Sequence, residues 1–138
     1  MELHRAGREY LKTILILGQK NGAVRSLDVG RTLHVTKPSV SKAMKRLREG
    51  GYLTMDADKR LQLTKTGRAI AEQAFNKHLV LRSCLILMGV SPAVAERDAC
   101  GMEHAVSPET LERMRLFIEK DRTANSGLNP QQPAAVDP

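Results

Sequence analysis

Apolar positions along the first part of the chain repeat with the spacing of an α-helix. Over residues 5–20 they recur every three or four positions, and Asn21-Gly22 supplies a stop signal. A short amphipathic stretch follows over residues 26–33, with Ser26 in the position of an N-cap. The pattern therefore predicts two helices joined by a short turn.

A third helix is predicted over residues 37–48. Thr36 precedes it as an N-cap, and Pro38 falls in its first turn, where a missing backbone N–H costs nothing. Gly50-Gly51 ends it. One face of this helix is apolar, formed by Val40, Ala43, Met44 and Leu47.

Two short segments of alternating polarity come next, and they predict a hairpin. Leu53 and Met55 alternate before a charged turn over residues 56–60, and Leu61 and Leu63 alternate after it. Two helices and a turn followed by a two-stranded wing are typical of a winged helix-turn-helix, whose last helix enters the major groove of DNA.

The candidate DNA contacts lie on the outward face of the third helix and at the hairpin tip. Lysine and arginine neutralise phosphates, and serine or lysine can also bind base edges. The alternative is a basic helix that is merely solvated. The candidates are Lys37, Pro38, Ser39, Ser41, Lys42, Lys45, Arg46, Lys59 and Arg60.

The second half of the chain is predicted to be entirely helical. A long helix over residues 65–88 follows Thr64 as N-cap and is apolar on nearly every face from Leu79 onward, which favours self-association. Further helices begin at Pro92 and Pro108. We therefore predict a mainly α protein with a DNA-binding domain at 1–73, an all-α metal-binding and dimerisation domain at 74–122, and a disordered tail at 123–138.

Charge is distributed unevenly along the 138 residues, whose formal net charge is +7. Residues 1–75 carry 15 Lys and Arg against 7 Asp and Glu, whereas residues 76–138 carry 7 against 8. The basic excess of the first half predicts a polyanionic partner. Because aromatic residues make up only 3% of the chain and Trp is absent, double-stranded DNA is favoured over a single strand.

Composition also bears on location. No apolar segment reaches the roughly 20 residues that span a bilayer, and the N-terminus lacks a signal-peptide pattern. Two cysteines do not indicate a disulfide framework. We expect a cytoplasmic protein with no membrane partner.

Cys100, Glu103 and His104 form the most specific chemical pattern. At i, i+3 and i+4 on a helix, their side chains fall within an arc of about 100° and can converge on one cation. Thiolate, carboxylate and imidazole together suggest a metal site. The alternative is a buried thiol beside a surface ion pair.

Several segments of the chain form one combined pattern, namely Val40-Ser41, Leu63-Thr64-x-x-Gly67, His78, Gly89-Val90 and Asp98-Ala99-Cys100-x-x-Glu103-His104-x-x-Ser107. Together they resemble the diphtheria toxin repressor family, which includes manganese transport regulators. The resemblance covers about residues 7–118 and implies a homodimeric, divalent-metal-activated repressor of metal uptake or homeostasis genes. Such a repressor binds palindromic operator DNA, has no catalytic residues and acts on no small-molecule substrate.

The resemblance also implies a ligand set. Cys100, Glu103 and His104 are then joined by Glu9 of the first helix. His78 is either a fifth donor or a residue that contacts the ligands without binding the metal. Such a cation would connect the two domains and fix the spacing of two recognition helices in a dimer. Longer family members carry a third, SH3-like domain, so we expect two domains to complete regulation here.

Two departures from the family concern a second metal position. Lys12 and Arg82 stand where relatives place acidic ligands, and both would repel a second cation. We therefore expect one metal per protomer, although Glu96 could bring a carboxylate to His78.

The mixed ligand set bears on metal identity. Carboxylates suit Mn²⁺ and Fe²⁺, whereas the thiolate of Cys100 favours Fe²⁺, Co²⁺, Ni²⁺ and Zn²⁺ over Mn²⁺. We expect Fe²⁺ as the physiological effector and Mn²⁺ next, with Co²⁺, Ni²⁺ or Zn²⁺ able to bind in vitro.

Two other functions compete with this interpretation. A metal-independent winged-helix regulator would use Cys100 as an oxidisable switch. A small metalloenzyme would activate water at an open metal position, but no further acid–base group or phosphate-binding loop accompanies the cluster. We therefore predict that the protein is not an enzyme.

Overall fold

The computed structural model describes residues 3–128, and the chain divides into two compact units, Met1–Phe75 and Asn76–Pro138. The predicted mainly α architecture and the winged helix-turn-helix are confirmed. The described elements are α1 (Arg5–Asn21), α2 (Ser26–Leu33), α3 (Lys37–Glu49), β1 (Leu53–Met55), β2 (Leu61–Leu63), α4 (Lys65–Leu87), α5 (Pro92–Met102) and α6 (Pro108–Leu128).

The core of the first unit is built from the apolar faces that the sequence predicts. Burying these side chains removes apolar surface from water and fixes α3 against the helices that precede it. The buried residues are Leu11, Ile14, Leu15, Val24, Val29, Val40, Met44, Leu47, Tyr52, Leu53, Leu61 and Ala71.

The turn between α2 and α3 explains how the recognition helix is presented. His34 ends α2 in the left-handed conformation, with φ of 56° and ψ of 45°, and this reverses the chain. The Thr36 hydroxyl accepts the N–H of Ser39 at 3.4 Å, as predicted for an N-cap. At the start of α2 the structure differs from the prediction, because the Asp28 carboxylate rather than Ser26 caps the helix, accepting the N–H of Arg25 at 2.9 Å.

The wing is an antiparallel hairpin in which Leu53 pairs with Leu63 and Met55 with Leu61. Asp56 organises its tip, since its carboxylate accepts the N–H groups of both Asp58 and Arg60 at 2.9 Å. This turn holds Lys59 at a φ of 64° and leaves both tip cations exposed to solvent.

The second unit combines buried and exposed apolar residues. Leu81 and Cys84 of α4 are buried, and burial raises the pKa of the Cys84 thiol. By contrast, Leu79 is 40% exposed and Met88 is 72% exposed. Some large apolar side chains in α4 and directly after it therefore remain exposed to solvent.

Two boundaries differ from the predictions. Helix α5 ends at Met102, so Glu103 and His104 lie in the turn that follows it. Helix α6 runs to Leu128 and so includes the first residues of the predicted tail, where extending a formed helix adds one hydrogen bond per residue fixed. The rest of the predicted tail, residues 129–138, lies outside the described residues.

Candidate metal centre

The donor cluster of the second unit consists of His78, Cys100, Glu103 and His104, and the buried His78 lies in its middle. His78 lies on α4 with only 3% of its surface exposed. Its Nε2 is 2.8 Å from Oε1 of Glu96 on α5. Its Nδ1 is 3.7 Å from the Sγ of Cys100 and 3.3 Å from Oε2 of Glu103. Both ring nitrogens therefore face polar groups supplied by another helix and the turn after it.

Glu103 keeps the predicted relation to Cys100 although the helix has ended. Its backbone stays in the right-handed helical region, with φ of −59° and ψ of −23°, and its N–H donates to the carbonyl of Ala99 at 3.0 Å. The Glu103 side chain is therefore carried to the same side as Cys100, as i, i+3 spacing requires. His104 follows, with Nε2 at 3.5 Å from Oε1 of Glu103.

Sequence reasoning did not include Glu96 in the site. Its carboxylate oxygens divide between two partners, with Oε1 next to His78 and Oε2 at 2.8 Å from Nε of Arg82. The signal was its position four residues before Cys100, which places both on one helix face. His78, Glu96 and Cys100 each offer a ligand atom, and these three atoms lie within 4.8 Å of one another.

Glu9 and Lys12 belong to α1 of the first unit and form an ion pair. Nζ of Lys12 is 3.2 Å from Oε2 of Glu9, and the Lys12 side chain is buried. The role of Glu9 as a metal ligand stays a prediction.

The donor atoms of the second unit match the chemistry of a transition-metal ion. Imidazole nitrogen, thiolate sulfur and carboxylate oxygen are the ligands that Fe²⁺, Co²⁺ and Zn²⁺ accept. Buried carboxylates are costly unless a cation or hydrogen bonds compensate them, and Glu103 is only 3% exposed. The cluster therefore fits a divalent cation.

The candidate DNA contacts all lie at the surface of the first unit. Every one of the nine predicted residues is exposed, on α3 or at the wing tip. Val40, Met44 and Leu47 on the opposite side of α3 are buried, so the helix presents its basic face to solvent. A basic surface on a rigidly packed helix suits a duplex backbone.

Comparison with known proteins assigns the family. Residues 2–61 match the N-terminal DNA-binding domain of the iron-dependent repressors, and residues 64–129 match their metal-binding and dimerisation domain. The transcriptional regulator MntR of Escherichia coli O6:H1 is 38% identical over 112 residues, covering 81% of this chain and 72% of that protein. The chain belongs to the iron-dependent repressor family. The resemblance inferred from the sequence is thereby confirmed.

Further relatives agree with this assignment. The regulator MntR of Geobacillus kaustophilus is 33% identical over 111 residues, which are 80% of this chain and 79% of that one. These relatives are transcriptional regulators and not enzymes, as predicted.

Two solved structures share the fold. IdeR of T. acidophilum superposes with a TM-score of 0.77 at 23% identity, covering 88% of this chain and 56% of that one. The manganese regulator SloR gives a TM-score of 0.72 at 24% identity, covering 86% of this chain and 55% of that one. The chain thus spans little more than half the length of these structures. Within residues 3–128, no helix has both the length and the apolar character needed to cross a bilayer.

Proposed function

We propose that this member of the iron-dependent repressor family is a homodimeric repressor, activated by a divalent metal, that binds palindromic operators of metal uptake or homeostasis genes. The observation that carries the proposal is the convergence of Cys100 and Glu103 on the buried ring of His78. This donor cluster accompanies an exposed basic recognition helix in the same chain.

The DNA-binding part of the proposal rests on charge and exposure. Lys42, Lys45 and Arg46 lie exposed along α3, and Lys59 and Arg60 lie exposed at the wing tip. These cations would neutralise phosphates and release counterions, whereas Ser39 and Ser41 would contact base edges or phosphates.

The metal-binding part assigns Cys100, Glu103, His104 and His78 as ligands, with Glu9 as a further ligand predicted from the resemblance. A bound cation would compensate the negative charge of the thiolate and carboxylate ligands. Cys100 provides the soft donor that favours Fe²⁺ over Mn²⁺, and Glu103 provides the hard donor that both ions accept. We therefore propose Fe²⁺ as the effector, with Mn²⁺ next.

Self-association is supported by large apolar side chains left at the surface of the second unit. Leu79, Met88, Leu116 and Phe117 are each at least 40% exposed, and apolar surface of this kind marks interaction sites when it is contiguous. A dimer would present two recognition helices to half-sites about 34 Å apart, which explains a palindromic operator. The cytoplasmic location stays a prediction.

A metal titration of DNA binding tests the proposal. Chelator-treated protein is mixed with a duplex selected from a random-sequence pool, and binding is followed by fluorescence anisotropy at buffered free Fe²⁺, Mn²⁺, Co²⁺ or Zn²⁺, without oxygen. We expect weak binding without metal and tight binding with it, reached at lower free Fe²⁺ than free Mn²⁺. A response to Mn²⁺ with none to Fe²⁺ would contradict the metal assignment.

Matched variants locate the ligands in the same assay. Glu103→Gln and His104→Ala should remove the metal response but leave the fold and the dimer intact, because they delete donors from the cluster. Glu109→Gln removes an equal charge from an exposed position on α6 and serves as the control. Full metal activation of both cluster variants would exclude the proposed site. DNA binding that resists chelation but changes after peroxide treatment would instead favour Cys100 as a redox switch.

A further inference from the structure

Arg82, Glu96 and His78 form a continuous chain of polar contacts from the surface to the interior of the second unit. Nε of Arg82 is 2.8 Å from Oε2 of Glu96, and Oε1 of Glu96 is 2.8 Å from Nε2 of His78. The Glu96 side chain is 54% exposed, that of Arg82 is 25% exposed and that of His78 is 4% exposed. The chain therefore ends at the buried imidazole of the donor cluster.

The short contact with Glu96 favours one tautomer of His78. An ionised carboxylate has only acceptor sites, so a hydrogen bond at 2.8 Å requires His78 Nε2 to carry the proton. In the neutral ring, Nδ1 then carries the lone pair. Nδ1 lies 3.7 Å from Sγ of Cys100 and 3.3 Å from Oε2 of Glu103, and the shorter of the two carboxylate contacts is the one at Nε2. The guanidinium of Arg82 donates to the other oxygen of the same carboxylate, with Nε at 2.8 Å from Oε2 of Glu96.

Glu96 itself is poorly placed to be a ligand. Oε2 faces the guanidinium of Arg82 and Oε1 faces the N–H of His78, so both oxygens already accept a hydrogen-bond donor. A divalent cation bound to this carboxylate would also lie next to the positive charge of Arg82. Carboxylates behind ligating histidines orient the ring and raise its basicity.

We propose that Arg82 and Glu96 are positioning residues of the metal centre, which hold His78 in the tautomer that binds metal through Nδ1. The inference rests on the proposed function and deepens it. It specifies that His78, already proposed as a ligand, binds the metal through Nδ1. Glu96 then contacts the ligand His78 but does not itself bind the metal.

Co²⁺ is the probe for the test, because its thiolate charge-transfer and d–d absorption report the ligands directly. Co²⁺ is titrated into the metal-free full chain and into Glu96→Gln, Arg82→Gln and two matched controls. Asp98→Asn and Arg97→Gln remove the same charges from exposed positions of α5. The thermal midpoint of each metal-free variant shows whether folding is affected.

Glu96→Gln should weaken Co²⁺ binding about tenfold or more, the effect typical of removing a carboxylate behind a ligating histidine. The thiolate band and the stoichiometry of one Co²⁺ per chain should persist, and Arg82→Gln should weaken binding less. Both controls should bind Co²⁺ as the wild type does. In ¹⁵N-edited NMR of the metal-free protein, His78 should be the Nε2–H tautomer in the wild type and a mixture in Glu96→Gln. Comparison with His78→Gln assigns the signal.

Three results would overturn the inference. The first is unchanged Co²⁺ affinity in Glu96→Gln. The second is an Nδ1–H tautomer for His78 in the wild type. The third is a second Co²⁺ bound by Arg82→Gln, which would make Glu96 a ligand that Arg82 blocks. A wild type that bound no Co²⁺ would instead count against the proposed function as a whole.

Discussion

Cys84 and Cys100 differ in environment although both belong to the second unit. Cys84 is 7% exposed, and its burial raises the pKa of its thiol, so at neutral pH it stays protonated and unreactive. Cys100 is half-buried, with His78 at 3.7 Å. The two thiols should therefore differ in their reactivity towards alkylating reagents.

We predict that iodoacetamide labels Cys100 in the native, metal-free protein and labels Cys84 only after unfolding. Because the pKa of Cys84 is raised, its thiolate fraction at a given pH is reduced, and raising the pH should favour its labelling. Added Co²⁺ should protect Cys100 if its sulfur is a ligand. Mass spectrometry of the two labelled peptides over time makes the comparison, and equal native labelling rates would contradict it.

Three of the proposed ligands could be predicted from the sequence because Cys100, Glu103 and His104 are spaced within one helical turn. Cys100 and Glu103 are three residues apart, and that relation survives the end of α5 because the Glu103 backbone stays helical. The sequence also raised Glu96 as a carboxylate that could reach His78. These residues are 18 positions apart on two helices, so local spacing alone does not specify their contact. It depends on how α4 and α5 pack.

Among the elements, the start of α4 is attached to the wing by backbone contacts that leave no room for a side chain. The N–H of Thr64 donates to the carbonyl of Tyr52 at 3.1 Å, and the Thr64 hydroxyl donates to the carbonyl of Gly51 at 2.7 Å. A Cβ on Gly67 would collide with that same Tyr52 carbonyl, which is backbone and cannot move aside.

We predict that Gly67→Ala destabilises the first unit by about 3 kcal/mol, at the upper end of the usual cost of overpacking. For a domain of this size, that destabilisation lowers the unfolding midpoint by roughly 10 °C or more. Gly18→Ala is the control. Gly18 lies inside α1, and a Cβ there would meet the Val24 side chain at an ordinary 3.8 Å, so this substitution should stabilise the helix. Circular dichroism melts measure both, and equal midpoints would refute the predicted clash.

The recognition helix permits a second prediction for an element. Lys42→Ala or Arg46→Ala should weaken duplex binding and flatten the dependence of log affinity on log salt by about one unit for each phosphate that the variant no longer neutralises. Both residues are exposed on α3, so the fold should not change. Lys120→Ala, exposed on α6, provides a control with the same charge change. Unaltered affinity and slope would assign DNA binding to another surface.

The helices show where sequence patterns succeed and where they do not. Helix α3 was predictable because Thr36, Pro38 and an apolar face all specify the same element. The end of α5 was not, because Gly101 lies inside the helix and no glycine or proline follows Met102 before Pro108. The turn is closed by Ala105 and Val106, whose N–H groups donate to the carbonyl of Met102 at 2.9 and 3.1 Å. The extent of α6 was not predictable from composition, because a polar segment that buries no core can still extend a helix that has already formed.

For the whole molecule, charge and donor chemistry are divided between the two units. Residues 1–75 hold the basic excess, whereas the cluster around His78 lies in the second unit. Under the proposed function, binding of metal and binding of duplex must then influence one another through a change in the population of a DNA-competent state.

This coupling must be reciprocal, because both ligands bind the same protein at equilibrium. If Co²⁺ tightens binding to the selected duplex by some factor, that duplex must tighten Co²⁺ binding by the same factor, which we expect to fall between about 5 and 150. Measuring Co²⁺ affinity from its absorption, with and without saturating duplex, gives one factor, and anisotropy with and without Co²⁺ gives the other. A duplex of the same length and scrambled sequence controls for Co²⁺ bound by DNA itself. If duplex binding needs Co²⁺ but the Co²⁺ seen in the absorption spectrum binds equally well with and without duplex, the activating ion occupies a different site, and the cluster around His78 is not the regulatory site.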